Sequence, residues 1–298
     1  MLQRLGVSRE TVERKRFLHK CSKGIAIKAM YEWKNDYFKQ IAWTGDWADE
    51  RFRHSGRCLI EGHRGVKALL PENTIPSFEH AVALGVDVLE TDVNMTRDGV
   101  PVLCHDRTVD RTTDGSGVIR QFTLAELKAL DAGCRFGGGE YAGKGYRIPT
   151  LEEFCEWMTA HRDILLNVEI KDYGLDNIDA TLSTLGAFDL LGNCIFACFH
   201  ASVIHYLYER YGVKTQGFLG SSMKGFRPGK NGTYAELYAV GVETEQFTPE
   251  CAAWLNDIGI QPWCWCCDDE ETVRRAVSLG AKEMTCNDPR PAIHVIKG

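Results

Sequence analysis

From residue 58 onward, short apolar runs alternate with segments of helical periodicity, the pattern of a parallel sheet whose strands are joined by helices. Strands are predicted at 58–62, in the first arm of a hairpin within 86–106, and at 164–170, 194–199, 213–219, 240–243, 262–267 and 281–286. Eight strands of this kind predict a (β/α)8 TIM barrel, for which about 250 residues suffice. The helix signals fall in the gaps. Asn73 or Thr74 opens a helix with Pro76 in its first turn and Gly85 beyond its end. Thr123 with Glu126 and Thr150 with Glu153 are capping boxes, and 269–279 is helical up to Gly280. The glycine-rich stretch 133–145 reads as a loop. Upstream, 8–43 reads as a helix with Ser8 as N-cap and only loosely helical apolar spacing, and 45–56 reads as a connection. The expected domains are an N-terminal helical extension, 1–57, and the barrel, 58–298.

Chemistry concentrates where the strands end. Asp98-Gly99 between two β-rich runs predicts a two-residue turn, which sets Arg97 opposite Val100 and Asp92 opposite His105. Period-two alternation puts Glu90 on the same face as Asp92. Two carboxylates buried side by side are expensive unless a cation sits between them, and a hard divalent metal with oxygen ligands is the usual solution. In the run 165–171, alternation places Asn167, Glu169 and Lys171 on one face while Leu166, Val168 and Ile170 pack outwards against helices. His63 closes the first strand. Barrel enzymes carry their chemistry at the carboxyl ends of strands, and charged residues on the inward face of a buried strand are rare without function.

Charge narrows the classes. The formal net charge is −6, yet residues 1–57 hold 13 Lys and Arg against 7 Asp and Glu, which leaves a net −12 on the barrel region. A nucleic-acid protein would carry a basic patch on the domain itself. The 12 cysteines show no C-x-x-C pair of zinc-finger spacing and fall short of a disulfide scaffold. Free thiols, and a start that leads into a charged segment without an apolar stretch, point to the cytoplasm. No run approaches the length of a membrane span.

His63-Arg64-Gly65, Pro71-Glu72-Asn73-Thr74, Glu90-Thr91-Asp92, Asp98-Gly99, Pro101 to Asp106, Asp110-Arg111-Thr112-Thr113 and Glu169-Ile170-Lys171 together closely resemble the glycerophosphodiester phosphodiesterase family, from about residue 58 to 293. The resemblance implies a phospholipase C-like barrel that is metal-dependent. It implies Glu90, Asp92 and Glu169 as ligands of one divalent cation, Mg²⁺ or Ca²⁺, His63 and His105 as the acid-base pair, and Arg64 and Lys171 as phosphate contacts. Phe199 and Trp265 fall where the family has its substrate pocket. Departures are Cys198 before Phe199, the cysteines of Trp263-Cys264-Trp265-Cys266-Cys267, and the closing Thr285-Cys286-Asn287-Asp288-Pro289. They bear on substrate more than on reaction. The three cysteines 264, 266 and 267 read as barrel packing in preference to a soft-metal site.

The implied activity is hydrolysis of glycerophosphodiesters to an alcohol and sn-glycerol 3-phosphate, within lipid and glycerol metabolism. The metal would neutralise charge on the phosphoryl oxygens, Arg64 would add a planar fork of donors, and two imidazoles would divide the proton work. Which histidine is the acid stays open at this level. The alternatives are a lysophospholipase D-like or cyclising enzyme acting on lysolipids, and a non-catalytic phosphate-binding module. Loops 133–146 and 221–234, with aromatic and cationic residues, could shape specificity towards a choline-like or lipid ester. The basic arm, with Tyr31, Trp33, Tyr37, Phe38 and Trp43, is expected to cap the barrel. Peripheral contact with anionic lipid is the competing placement.

Overall fold

The structure, a computed structural model, describes residues 56–298. Strands β1 (Leu59–Gly62), β2 (Val88–Met95), β4 (Leu165–Ile170), β5 (Cys194–Ala197), β6 (Thr215–Phe218), β7 (Ala239–Glu243), β8 (Gln261–Trp265) and β9 (Glu283–Cys286) are parallel, and β9 pairs back onto β1. The result is a closed eight-strand barrel, as the apolar runs predict. A short strand β3 (Pro101–Leu103) lies antiparallel on β2 outside the ring. Closure removes the exposed edges that an open sheet would leave.

Helices α1 (Ile75–Leu84), α2 (Leu124–Ala129), α3 (Leu151–Met158), α4 (Leu175–Ala187), α5 (Ala201–Tyr211), α6 (Pro249–Asp257), α7 (Glu270–Ser278) and α8 (Arg290–Lys297) fill the connections. Their ends follow the local chemistry. Thr123 and Thr150 each accept from the backbone of the glutamate three residues on, which reaches back in turn, so both capping boxes are present. Gly85 ends α1 at φ +96°, a left-handed position that favours glycine. Phe78 of α1 is fully buried and packs on Phe154 of α3 at 4.7 Å between ring centres, which pins these two helices to the outer wall. At the floor of the barrel, Arg57 and Lys297 both bind Asp87, at 2.6–2.8 Å.

Two expectations need correction. The hairpin pairs Val93 with Leu103, Asn94 with Val102 and Met95 with Pro101, one residue out of the predicted register. The amide of Gly99 donates to Thr96, and Gly99 sits at φ +80°, so the loop has three residues instead of two. Asp92 therefore faces Cys104, whose amide donates to its carbonyl at 3.0 Å, and His105 lies beyond the ladder. Several strands also stop before their predicted ends. β5 closes at Ala197, so Phe199 belongs to the loop at the mouth, where its carbonyl accepts from the Lys224 amide. The predicted helix over 8–43, and with it the cap or lipid role of the arm, lies outside the described residues.

Among the described residues no helix is long and apolar enough to cross a membrane. The 11 described cysteines are all free thiols.

Candidate active site

The turn after β1 is built for close approach. A Cβ on Gly65 would lie 2.4 Å from the Ser77 hydroxyl, and Gly65 takes φ +83°, so only glycine fits there. Arg64 (φ 52°) and Asn73 (φ 54°) also hold left-handed backbone, which few non-glycine residues adopt outside strained or functional sites. The strain is held by ligation to β2. The Arg64 amide donates to Glu90 Oε2 at 2.8 Å, and Asn73 donates through Nδ2 to Asp92 Oδ2 at 2.8 Å while accepting from Thr91.

Alternation along β2 and β4 turns Glu90, Asp92 and Glu169 inwards, and their carboxylate oxygens come within 4.8 Å of one another. Glu90 is 4 % and Asp92 0 % exposed. Each spends one oxygen on protein donors, while Glu90 Oε1 and Asp92 Oδ1 have no hydrogen-bond partner. Buried carboxylate oxygens without a hydrogen bond, gathered in one small cluster, fit a hard cation with oxygen ligands, although Asp92 Oδ1 also has an ion-pair partner in Lys171. Lys171 lies 3.3 Å from Asp92 Oδ1 and 2.5 Å from Glu169, and Arg64 Nε lies 3.3 Å from Asp92 Oδ2. Burial alone would raise Asp92, but Lys171 and Arg64 outweigh it and hold the carboxyl well below its usual range. Glu90 moves the other way, because burial and then the Asp92 charge push it well up.

The histidines meet the same cavity, of about 170 Å³, in unlike settings. His63 Nδ1 bonds the side-chain oxygen of Asn287 at 2.7 Å, which fixes that nitrogen as the donor and leaves Nε2 free, 3.9 Å from Glu90. Asn287 is itself gripped by Asp268, through both its backbone and side-chain amides at 2.6 Å. Burial, then Arg64 and Lys67, lower His63 to about 3. His105 Nδ1 instead meets the carboxylate of Asp106 at 2.6 Å. Asp106 accepts from Arg111, Arg111 forks onto Glu72, and Glu72 accepts from Arg64, so a chain of alternating charges links His105 back to the first strand. Burial lowers His105 as well, opposed by Asp92 and Asp106.

The remaining wall is aromatic. Phe199 stacks on Phe218 at 3.5 Å and 7°, and Phe218 meets Trp265 edge-on at 6.1 Å. Beneath the carboxylates the floor is polar. Glu61 accepts from Asn167 and Thr285, and Asn167 also donates to Gln216. Burial raises Glu61 to about 7.

All nine residues expected from the sequence line this cavity or, for Asp92, its ligand cluster. Sequence reasoning missed Asn73, Asn287 and Glu61. Asn73 stands inside the Pro71 to Thr74 motif and was readable there as an orienting group, whereas Asn287 is 224 positions from the histidine it binds. Cys264 and Cys267 are buried, and among the described residues the carboxylate trio is the one group with metal-ligand geometry.

The family model for the glycerophosphoryl diester phosphodiesterase family matches residues 63–290. A glycerophosphodiester phosphodiesterase of Caldanaerobacter subterraneus subsp. tengcongensis is 31 % identical over 254 residues, covering 81 % of this chain and 98 % of the relative. Among solved structures, a phosphodiesterase of Oleispira antarctica in complex with the product sn-glycerol-3-phosphate superposes with a TM-score of 0.70 at 25 % identity, covering 80 % of this chain and 97 % of that one. The glycerophosphodiester phosphodiesterase of Agrobacterium tumefaciens is similar in fold, with a TM-score of 0.67 at 20 % identity, covering 81 % and 100 %.

Proposed function

The chain belongs to the glycerophosphoryl diester phosphodiesterase family, and from that membership we infer that its barrel hydrolyses glycerophosphodiesters to an alcohol and sn-glycerol 3-phosphate. The observation that carries the reading is the convergence of three inward carboxylates, two cations and two differently partnered histidines on one cavity. Glu90, Asp92 and Glu169 would hold the divalent cation, Mg²⁺ or Ca²⁺ by the hardness of an all-oxygen set, and the bound ion would supply charge neutralisation at the phosphoryl oxygens.

The chain's own groups account for the rest. Arg64 and Lys171 are permanent cations aligned on the carboxylate cluster, suited to orient an anionic diester. His63 is kept neutral in one tautomer by the uncharged Asn287, so its Nε2 is the base that takes a proton from water or from a neighbouring substrate hydroxyl. His105 is backed by the Asp106 carboxylate, which stabilises an imidazolium, so it is the acid that protonates the departing alcohol. Phe199 and Trp265 form the apolar wall against the carbon skeleton of the substrate.

The test is turnover of glycerophosphodiesters and lysolipids with Mg²⁺, with Ca²⁺ and with chelator. Expected are chelator-sensitive release of sn-glycerol 3-phosphate and loss of turnover in Glu90→Gln and Asp92→Asn, both still folded. Full activity in chelator would overturn the metal assignment, and a cyclic phosphate persisting in the phosphorus NMR spectrum would replace hydrolysis by cyclisation.

A further inference from the structure

Outside the carboxylate cluster, the mouth of the barrel carries positive charge at Arg107 and Lys224 that no carboxylate among the described residues pairs with. Three chain segments leaving the cavity build it. Two residues past His105 stands Arg107, two past Lys171 stands Tyr173, and directly after Phe199 stands His200. Tyr173 and His200 pack with ring centres 4.2 Å apart and planes tilted by 38°, and the Arg107 guanidinium lies over the Tyr173 ring at 5.5 Å. A fourth segment joins them, because Lys224 bridges to His200 and its backbone bonds both Phe199 and Ala201. Arg107 and Lys224 are exposed. Neither has a carboxylate within ion-pair distance among the described residues, whereas two arginines of the neighbouring loops do. Arg111 binds Glu72 and Asp106, and Arg120 binds Asp172 and Asp176. Those four acids are thus already committed. Consistent with an uncompensated field, burial and then Lys224 and Arg107 lower His200, with no anion acting the other way.

Resting on the phosphodiesterase reading, we propose that Arg107, Tyr173, His200 and Lys224 form the subsite for the leaving alcohol and select diesters whose alcohol carries a further negative charge. On this reading the cavity, with its carboxylates and polar floor, takes the glyceryl phosphate half, and the alcohol is left at the rim. Two cations there attract an anionic headgroup and repel a quaternary ammonium, so the aromatic pair is not a choline cage: its faces are already occupied by each other and by Arg107. The aromatic and cationic character of the 221–234 loop thereby acquires a direction opposite to the choline-like ester suggested by composition alone.

The experiment compares kcat/KM of the full chain with its activating cation on three diesters that share the glyceryl phosphate half and differ in the alcohol: choline, glycerol, and glycerol bearing a second phosphate. The expected order is anionic, then neutral, then cationic, with roughly tenfold between the extremes, expressed mainly in KM and shrinking between about 0.02 M and 0.3 M salt as screening sets in. Arg107→Gln with Lys224→Gln should lower kcat/KM on the anionic ester about tenfold, on the neutral ester by less than threefold, and raise it on the choline ester. Equal use of the three esters, a preference for choline, or an equal loss on all three in the double variant would overturn the subsite while leaving the hydrolase intact. A chain inert towards all three would overturn the phosphodiesterase reading and the subsite with it.

Discussion

His63 and His105 look into one cavity and are the same residue type, yet the fold surrounds them differently. His63 rests against a neutral amide, itself held by Asp268, in a pocket that burial and two cations make hostile to a second positive charge. His105 rests against a carboxylate at the head of a chain that runs through Arg111 and Glu72 to Arg64. On the proposed mechanism, a pair of imidazoles with one intrinsic pKa near 6.5 would be separated into a proton taker and a proton giver by its neighbours and not by its own chemistry.

The strongest way to break the contrast is to remove each ring. His63→Ala and His105→Ala should each cost roughly 10²-fold or more in turnover, the scale of general acid-base assistance. An ester with a good leaving group, such as a nitrophenol, should restore only His105→Ala. Equal rescue of both would end the division of roles.

A second experiment exchanges the settings. Asn287→Asp places a carboxylate on His63, which favours its protonated form, so the base should be lost at a higher pH and the acid limb of the pH-rate profile should move up. Asp106→Asn should weaken the acid by roughly tenfold on a poor leaving group and little on an activated one. A profile unmoved in Asn287→Asp would mean that His63 does not act as the base.

The smallest expected effect is on stability. Glu72 and Asp106 are raised by burial, but their hydrogen bonds from Arg111 outweigh it and hold both below the usual carboxylate range. A depressed folded pKa contributes stability above the ordinary carboxylate value that is lost as pH falls through the folded one. Arg111, about half exposed, should therefore contribute only about 0.5–1 kcal/mol at neutral pH. Arg111→Gln would lower Tm by about 2 °C at pH 7 and by less in acid, as differential scanning calorimetry can check. A deficit that grows in acid would contradict this sign.

What the sequence discloses is what local rules govern. Strand alternation along β2 and β4 is enough to bring Glu90, Asp92, Glu169 and Lys171 to one face, because period two leaves no other choice. The capping boxes at Thr123 and Thr150 are equally local. The hairpin register was missed by one because Asp-Gly suits a two-residue turn, whereas Gly99 here closes a three-residue loop. His105 still reaches the cavity, because the chain leaves the ladder after Leu103 and the strict alternation that would have sent it outward no longer applies. Asn287 was not legible. It meets His63 only because β9 closes the ring onto β1, and no spacing rule spans that distance.

The clasp at the floor of the barrel has a consequence for connectivity. Arg57 and Lys297, 240 positions apart, meet on the one Asp87 carboxylate, Arg57 forking onto both oxygens and Lys297 sharing Oδ1, so the two ends of the ring stand side by side. Eight strand-helix units joined in a closed ring have a seam and no intrinsic first unit. A circular permutant that joins residue 298 to residue 56 through a few glycines and serines, and opens the chain in the exposed stretch between Lys144 and Gly145, would cross no strand and cut no bond to the carboxylate cluster. The order in which the strands follow one another along the chain would then change without changing the ring they form.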